Sequence, residues 1–411
     1  MAPAPSTLVT LTGPDRPGIA AWLFAALEPL GASVLDVEQV RVHGRLLLCV
    51  ELDAGPGRGP LLEAALNDGR PVELADLVLT VAPLAGRDDR HPSGRQLVTV
   101  LGPRLGSHEL GAVFSLIAGA GGNADRIVQL SRYPVTSYQL VVSGGDADRL
   151  RRDLAAQAGP LGVDVAVQRA GLHRRAKHLI VLDADSTLLQ GEVIDLLAAR
   201  AGRADEVRAV TEAAMAGELD FGQALAERVA LLTGLPEEVL DAVAADLVLA
   251  PGARTLVRTL RRLGYVTAVV SGGFIQVVAG LAADLGIDHV AANTLEVADG
   301  RLTGGLVGPV IDRAGKAAAL VRFAGMAGVP LTQTVAVGDG ANDLDMLAVA
   351  GLGIAYNAKP VVRQAADATL NVPYLDAILF LLGIPREEIE AADDEEGVRP
   401  ARPVEPAADP R

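Results

Sequence analysis

The spacing of apolar and polar positions predicts the same small module twice at the amino end of the chain. Beginning near residue 8 and again near residue 97, the pattern predicts a strand, a glycine-proline loop, an amphipathic helix, two strands, a second helix and a last strand. The opening letters also align, LVTLTGP over residues 8–14 with LVTVLGP over residues 97–103. The sequence therefore predicts a repeated βαββαβ module over residues 1–84 and 94–170.

From about residue 177 the pattern changes. Residues 178–182, 266–270 and 334–337 are apolar at nearly every position and do not alternate. Such strands suit a parallel sheet that helices cover on both faces. We expect an α/β domain over residues 175–385, with a helical insertion at about 190–250. Residues 386–411 are acidic and contain several prolines, a composition that predicts a disordered tail.

Composition and charge narrow the classes of protein. Of the 411 residues, 50% are hydrophobic, which is enough to form cores, and the net charge of −15 matches neither nucleic acid nor an anionic membrane surface. We therefore expect no nucleic-acid or membrane partner. Cys49, the single cysteine, lies in an apolar run and is predicted to be a buried structural thiol. Without a signal-peptide pattern or a long apolar run, the expected location is the cytoplasm.

Polar motifs follow three of the predicted parallel strands. Asp183 and Asp185 follow the first strand, Ser271 and two glycines follow the second, and the letters GDGAND at residues 338–343 follow the third. The carboxyl ends of strands in open α/β sheets border the ligand crevice, and glycine loops let backbone N–H groups approach a phosphate. Each motif alone also fits a capping loop or an ordinary turn. Three of them at one edge predict a site.

Lys316 is one of only three lysines, with Lys177 and Lys359. A compact ammonium can neutralise a carboxylate nucleophile and a phosphoryl oxygen together, which a planar guanidinium does less readily. The alternative is a solvated lysine at the start of a helix over residues 317–324.

In this order, Asp183-x-Asp185-x-Thr187, Ser271, Lys316 and residues 338–343 resemble the four motifs of the haloacid dehalogenase-like phosphohydrolases. The letters SGGF at residues 271–274 and the composition of the helical insertion resemble, within that superfamily, the phosphoserine phosphatases. The resemblance covers about residues 177–384 and implies a Rossmann-like parallel sheet with a small helical cap. It also implies hydrolysis of O-phospho-L-serine with Mg²⁺ through an aspartyl-phosphate, as the last step of serine biosynthesis.

The resemblance implies a role for each site residue. Asp183 would be the nucleophile, Asp185 the general acid and base, and Lys316 a partner of the phosphoryl charge. The implied metal ligands are the carboxylates of Asp183 and Asp339 and the backbone carbonyl of Asp185, with Asp343 supporting them. The residues implied to bind substrate are Glu192, Met215, Phe221, Arg228, Ser271, Gly272 and Asn342. Among these, Arg228 and Glu192 would hold the carboxylate and ammonium groups of the substrate.

Each amino-terminal repeat resembles an ACT domain, a ferredoxin-like α+β module that senses amino acids. The first has the loop GPDRPG at residues 13–18, which implies an effector site at Asp15 and Gly18 with serine as the expected effector. The second has GPRLG at residues 102–106, and a purely structural role fits it equally well. The resemblance also implies a homodimer.

Two alternatives stay open at the level of sequence. A phosphatase or phosphotransferase that acts on another small phosphate, or on phosphoserine in a protein, would use the same chemistry. An amino-acid-binding regulator with an inactive phosphatase domain would keep the fold without turnover.

Overall fold

The computed structural model describes residues 6–53, 55, 57–84, 94–171, 176–215 and 218–398. The chain divides into two compact units, Met1–Ser93 and Gly94–Arg411. Within the described residues, no helix has the length and apolar character needed to cross a membrane.

The first unit has the predicted βαββαβ order. Its elements are β1 (Ser6–Pro14), α1 (Ile19–Leu27), β2 (Ser33–Val42), β3 (Arg45–Asp53), α2 (Gly59–Asp68) and β4 (Val78–Leu84). The antiparallel sheet has the order β2-β3-β1-β4, and both helices pack on one face of it. Leu48 and Val50 lie in that core. Cys49 alternates to the opposite face and is only half-buried, so the predicted fully buried thiol is wrong.

The second repeat has the same order of elements. They are β5 (Gln96–Gly102), α3 (Ser107–Gly119), β6 (Gly122–Ser131), β7 (Thr136–Gly144), α4 (Ala147–Leu161) and β8 (Asp164–Arg169). Its strands lie in the order β8-β5-β7-β6, which is the arrangement of the first repeat read from the other edge. The fold class predicted for both repeats is confirmed.

The remaining strands form the predicted parallel sheet. They are β9 (Leu179–Asp183), β10 (Val266–Phe274), β11 (His289–Ala298), β12 (Arg301–Val307), β13 (Thr334–Gly338), β14 (Gly353–Tyr356) and β15 (Ala368–Leu370). These strands lie in the order β11-β10-β9-β13-β14-β15, and each neighbouring pair in this order is parallel. β12 pairs with β11 in antiparallel register at the edge of the sheet. Every residue of β9 and β13 is buried, as their continuous apolar pattern predicts.

Helices occupy the predicted insertion and both faces of this sheet. The cap helices are α5 (Val193–Ala201), α6 (Ala204–Met215), α7 (Phe221–Ala230) and α8 (Glu238–Asp246). The later helices are α9 (Ala253–Arg262), α10 (Ile275–Leu285), α11 (Arg313–Ala327), α12 (Leu344–Val349), α13 (Pro360–Ala365), α14 (Ile378–Leu381) and α15 (Arg386–Glu395).

The second repeat and the parallel sheet are continuous, which the sequence did not predict. Ala166 of β8 pairs in antiparallel register with Ala368 of β15, so eleven strands form one sheet. Asp164 fixes this seam, because its carboxylate accepts hydrogen bonds from the backbone N–H of Asn371 at 2.7 Å and from its side-chain amide at 2.5 Å. Edge pairing between segments so far apart in the chain leaves no local pattern to read.

The predicted disordered tail from Arg386 is wrong for its first part. α15 covers these residues, and Ile389 and Asp393 on it are each only 2% exposed. Asp393 pairs with Arg258 and Arg262 of α9 at 2.6 Å, so the acidic letters include an ion-pair partner as well as solvated charge. Residues 399–411 lie outside the described residues.

Candidate active site

Three carboxylates and one ammonium meet at the carboxyl ends of β9 and β13. Asp183 is the last residue of β9, and Asp339 and Asp343 follow β13. Lys316 Nζ lies 2.6 Å from Asp183 Oδ1 and 2.6 Å from Asp343 Oδ1. Carboxylate oxygens of Asp183, Asp339 and Asp343 lie within 4.8 Å of one another. The strand ends therefore converge as the sheet topology requires.

Lys316 reaches this cluster from the first turn of α11. The helix begins at Arg313, one turn earlier than predicted, because Asp312 caps it by accepting a hydrogen bond from the Gly315 N–H at 2.7 Å. The Lys316 side chain is fully buried. The solvated-lysine alternative is therefore excluded.

The electrostatics of the cluster follow from this burial. Desolvation raises the pKa of Asp183 well above its usual value, the Lys316 ammonium opposes that rise, and the charge of Asp343 adds to it. Burial, followed by the charge of Asp343, raises the pKa of Asp339 to about 6. For Lys316, burial alone would lower the pKa, but the carboxylates of Asp183 and Asp343 together raise it. Lys316 therefore keeps its positive charge. That single charge is not enough to neutralise the three carboxylates.

These residues fit a hard divalent cation. All three carboxylates offer oxygen ligands, which Mg²⁺ prefers, and their close approach needs positive charge beyond that of Lys316. Asp183 and Asp339 were predicted to be ligands, and the structure adds the Asp343 carboxylate directly to the group. The Asp185 carboxylate instead lies against Ser271 and Val193.

Asp185 is held in a tight turn after β9. Its Oδ1 accepts a hydrogen bond from the Val193 N–H at 2.8 Å, and its Oδ2 accepts one from the Ser271 hydroxyl at 3.2 Å. Ser271 Oγ in turn accepts from the Gly273 N–H at 2.8 Å. Burial raises the pKa of Asp185, although these hydrogen bonds and the charge of Lys316 oppose it. A carboxyl group with a raised pKa can donate a proton and take it back.

The cap closes this floor into a cavity of about 550 Å³. Glu192 precedes α5, and Arg228 lies in the last turn of α7. Phe221, the first residue of α7, lies so near Gly272 that a Cβ there would be 3.4 Å from the ring. Desolvation raises the pKa of Glu192, the charge of Asp185 adds to the rise, and Arg228 opposes it. The cap thus brings one acidic and one basic side chain over the acidic floor.

Most predicted site residues meet in this cavity. Those that line it are Asp183, Asp185, Glu192, Phe221, Arg228, Gly272, Lys316, Asp339 and Asn342. Ser271 and Asp343 lie directly behind this lining through their bonds to Asp185 and Lys316. Met215 ends α6, and its side chain lies outside the described residues.

Two residues of the site were missed by the sequence reasoning. Asn293 of β11 donates its side-chain N–H to the Gly272 carbonyl at 2.8 Å and so fixes the serine-glycine loop. Lys359, which precedes α13, lines the cavity. Its rarity as a lysine was a usable signal, whereas nothing near Asn293 in the sequence marks it.

The predicted effector loop lies in the first unit. Gly18 adopts φ = 96° where it caps α1, a conformation that strains any side-chain-bearing residue. The Asp15 carboxylate lies 2.8 Å from Arg41 Nε. Asp15 therefore already has a cationic partner in this structure.

Comparison with known proteins assigns the chain to a family. The sequence matches the haloacid dehalogenase-like hydrolases over residues 180–348 and ACT domains over residues 6–68 and 95–168. A phosphoserine phosphatase of Streptomyces coelicolor is 55% identical over 404 residues, which cover 97% of this chain and 98% of that protein. The chain belongs to the phosphoserine phosphatase family.

A further family member and a solved structure agree with this assignment. The phosphoserine phosphatase SerB2 of Mycobacterium tuberculosis is 52% identical over 398 residues, covering 94% of this chain and 95% of that one. A haloacid dehalogenase family hydrolase of Salmonella enterica serovar Typhi is similar with a TM-score of 0.61 at 28% identity, covering 70% of this chain and 98% of that one. The expected family and fold class are confirmed.

Proposed function

We propose that the protein hydrolyses O-phospho-L-serine to L-serine and inorganic phosphate through an aspartyl-phosphate on Asp183, as the last step of serine biosynthesis. One observation supports this most strongly. A single cavity holds the carboxylates Asp183 and Asp185 beside Lys316 at its floor and the oppositely charged Glu192 and Arg228 at its cap. The floor suits phosphoryl transfer, and the cap suits a zwitterion.

Mg²⁺ is the proposed cofactor, held by Asp183, Asp339 and Asp343, with the Asp185 carbonyl as the further ligand that the family implies. When bound, it would offset the repulsion between these carboxylates and an incoming phosphate.

Asp183 is the proposed nucleophile. Lys316 Nζ and the Ala184 N–H both donate to Asp183 Oδ1, and none of the described residues donates a hydrogen bond to Oδ2. Attack by Oδ2 on phosphorus forms the aspartyl-phosphate and breaks the bond from phosphorus to the serine oxygen. Asp185 gives that oxygen its proton. Asp185 then takes a proton from water, whose oxygen attacks phosphorus and releases phosphate from Asp183.

The remaining floor residues stabilise charge. The Gly272 N–H, Lys316 and Asn342, which line the cavity, are proposed to hold the phosphoryl oxygens, and the Ser271 hydroxyl, which donates to Asp185, is proposed to turn to them when substrate binds. Donors fixed in place before reaction act without reorganisation.

Selectivity is proposed to come from the cap. Arg228 pairs with the substrate carboxylate and Glu192 with its ammonium group, while Phe221 and Met215 cover the aliphatic carbon. Bidentate pairing of a guanidinium with a carboxylate discriminates by geometry as well as charge.

The direct test is phosphate release from O-phospho-L-serine, with and without Mg²⁺, against a panel of other phosphate esters and a phosphoserine peptide. Preference for O-phospho-L-serine with Mg²⁺ supports the proposal. Preference for another phosphate would favour the related phosphatase or phosphotransferase. Absence of release from every substrate would favour the amino-acid-binding regulator.

We further propose regulation by serine through the first repeat and assembly as a homodimer in the cytoplasm. β2 is an edge strand of the first unit, and five of its apolar side chains are 43% to 55% exposed: Val34, Leu35, Val37, Val40 and Val42. An apolar edge of this kind suits pairing with a second copy. Sedimentation analysis of the intact protein gives the number of subunits.

A further inference from the structure

A second cavity lies at the seam between β8 and β15, within the unit Gly94–Arg411. We call it the seam cavity. Its volume is about 520 Å³, close to that of the catalytic cavity. Leu154 and Ala158 of α4 form one wall, Pro360 of α13 contributes to the other, and Val165 and Val167 of β8 form part of its floor. Its lining is largely apolar, and residues of both the second repeat and the phosphatase module contribute to it.

The charged groups of the seam cavity are mainly basic. Arg151, Arg152 and Arg363 line it against a single carboxylate, Asp367, although the whole chain carries a net charge of −15. Asp367 accepts a hydrogen bond from the Gly353 N–H at 2.9 Å. A local excess of positive charge in an acidic protein attracts small anions.

Two of these arginines keep their hydrogen-bonding capacity. Within the described part of the chain, neither Arg152 nor Arg363 has a carboxylate at ion-pair distance. Arg363 senses the charge of Asp164, but both Asp164 oxygens are engaged by Asn371. Arg151 lies 3.5 Å from Asp148 Oδ1, at the outer limit of a hydrogen bond. The guanidinium groups can therefore bind an anion without giving up a strong hydrogen-bond partner.

We propose that the seam cavity binds a small organic anion, a molecule with an apolar body and one carboxylate or phosphate group. The apolar walls would cover the body, and Arg152 and Arg363 would hold the charged group. Ligand sites commonly combine apolar walls with a few polar groups that fix orientation. A guanidinium suits either head group because its paired N–H donors match both geometries.

The position of α13 connects this site to catalysis. Pro360, its first residue, lines the seam cavity, and the preceding residue Lys359 lines the catalytic cavity. The Lys359 N–H also donates to the Asp339 carbonyl at 3.3 Å. A ligand that contacts α13 would thus act one residue from the active site. This consequence rests on the proposed function.

The test is calorimetric titration of the intact protein with phenylacetate and, separately, with phenylphosphonate. Arg152→Gln combined with Arg363→Gln removes both guanidinium groups. Arg149→Gln is the matched control, because Arg149 lies on the same helix and pairs with Asp153 away from the cavity. We expect a site whose affinity falls about tenfold or more in the double variant and stays within about twofold in the control.

Each outcome of the titration supports or overturns the proposed anion site. Binding of one probe alone, or of both, supports the site and identifies the head group that it accepts. Ala155→Glu places a carboxylate on the exposed wall of α4 and must also weaken the site, which guards against misfolding of the double variant. Binding that is unchanged in both the double variant and Ala155→Glu takes place elsewhere on the protein and would overturn the proposal. Absence of saturable binding of either probe would overturn it as well.

Kinetics test the connection to catalysis. The probe that binds is expected to change kcat/KM for O-phospho-L-serine in the unaltered protein and the Arg149→Gln control, and not in the double variant. Binding without a kinetic effect would overturn the proposed connection to catalysis but would still support the anion site in the seam cavity. If the protein did not hydrolyse O-phospho-L-serine, the titration would still decide whether the seam cavity binds anions.

Discussion

Lys316 shows how one side chain organises the site. Its ammonium is fully buried and contacts Asp183 and Asp343, so both carboxylates have a partner inside the protein. A buried charge without a partner is strongly destabilising, and a lysine that is paired in this way keeps its charge. The three carboxylates of the cluster still exceed that single charge. This excess of negative charge supports the proposed cation.

Asp183→Asn is expected to lower kcat by about a thousandfold or more, because an amide cannot act as the carboxylate nucleophile. The amide oxygen keeps the shape of the side chain and can still accept from the Ala184 N–H. Steady-state kinetics and a thermal melt measure activity and folding together. Asp195→Asn, at an exposed carboxylate on α5, is the control. Activity above a few per cent in pure Asp183→Asn protein would refute the nucleophile assignment.

Arg228→Ala is expected to raise KM for O-phospho-L-serine by about tenfold to a hundredfold, because a charge-assisted hydrogen-bonded pair contributes about 1.5–3 kcal/mol. An aryl phosphate has no carboxylate for Arg228 and should be affected much less. The measurement compares KM on both substrates, with Arg208→Ala on the neighbouring helix α6 as the control. Equal losses on both substrates would mean that Arg228 supports structure or chemistry and not selectivity.

At the scale of elements, the seam between β8 and β15 contains a titratable group. Burial raises the pKa of Asp164 to about 6, although hydrogen bonds from Asn371 and the charge of Arg363 oppose the rise. Below about pH 4 the carboxyl group is protonated in both the folded and unfolded states. Between about pH 4 and 6 the unfolded state loses the proton first, so rising pH destabilises the fold through this group.

Asp164→Asn is expected to remove this pH dependence. The difference in free energy of unfolding, variant minus unaltered protein, should rise by up to about 3 kcal/mol between pH 4 and 7 and then level off. The oxygen of the new amide can still accept from the Asn371 backbone N–H, and its NH₂ group can donate to the Asn371 side-chain oxygen once that side chain rotates. Denaturant unfolding at several pH values measures this difference, with Asp148→Asn at an exposed position of α4 as the control. A difference independent of pH would contradict the raised pKa.

Helix α15 also has a testable role. Asp393→Ala removes the carboxylate that pairs with Arg258 and Arg262, and we expect a loss of about 2 kcal/mol or more in the free energy of unfolding. The two arginines are partly exposed, which keeps the loss below that of a fully buried pair. Asp394→Ala, at the exposed neighbouring carboxylate, is the control and should change stability little. Equal stability of the two variants would show that the pair contributes nothing.

At the scale of the whole molecule, the continuous sheet determines where the chain can be divided. A cut near residue 174 would separate β8 from β15 and break the seam that Asp164 and Asn371 form. The unit Gly94–Arg411 keeps all eleven strands. Removing the first repeat alone is therefore the appropriate test of regulation.

Serine is expected to inhibit the intact protein more strongly than the unit Gly94–Arg411, because an effector site is proposed only in the first repeat. Coupling of about 1–3 kcal/mol corresponds to about a fivefold to 150-fold difference in the inhibitory concentration. Gly18→Ala should reduce that inhibition. Gly31→Ala is the matched control, since Gly31 also has a positive φ, 59°, in the same unit. Equal inhibition of the intact protein and the shortened unit would make the first repeat an assembly module and leave serine acting as a product.

The sequence by itself determined the elements and most of the chemistry. Local periodicity predicted both βαββαβ repeats, and the continuous apolar runs of β9 and β13 predicted buried parallel strands. Motifs at their ends predicted Asp183 and Asp339 as neighbours, because parallel strands end at one edge of a sheet. Each of these inferences needed only residues close in sequence or a rule of topology.

Only the tertiary structure decided the rest. The pairing of β8 with β15, the contact of Asn293 with Gly272, and the ion pair of Asp393 with α9 each join segments distant in the chain. None of these contacts changes the local periodicity or composition of the sequence. For that reason the acidic residues of α15 were predicted to belong to a disordered, solvated tail. Burial is likewise a property of the packed fold, because surrounding atoms exclude water from Asp164 and Lys316. The raised pKa values and the seam cavity therefore exist only once the chain is folded.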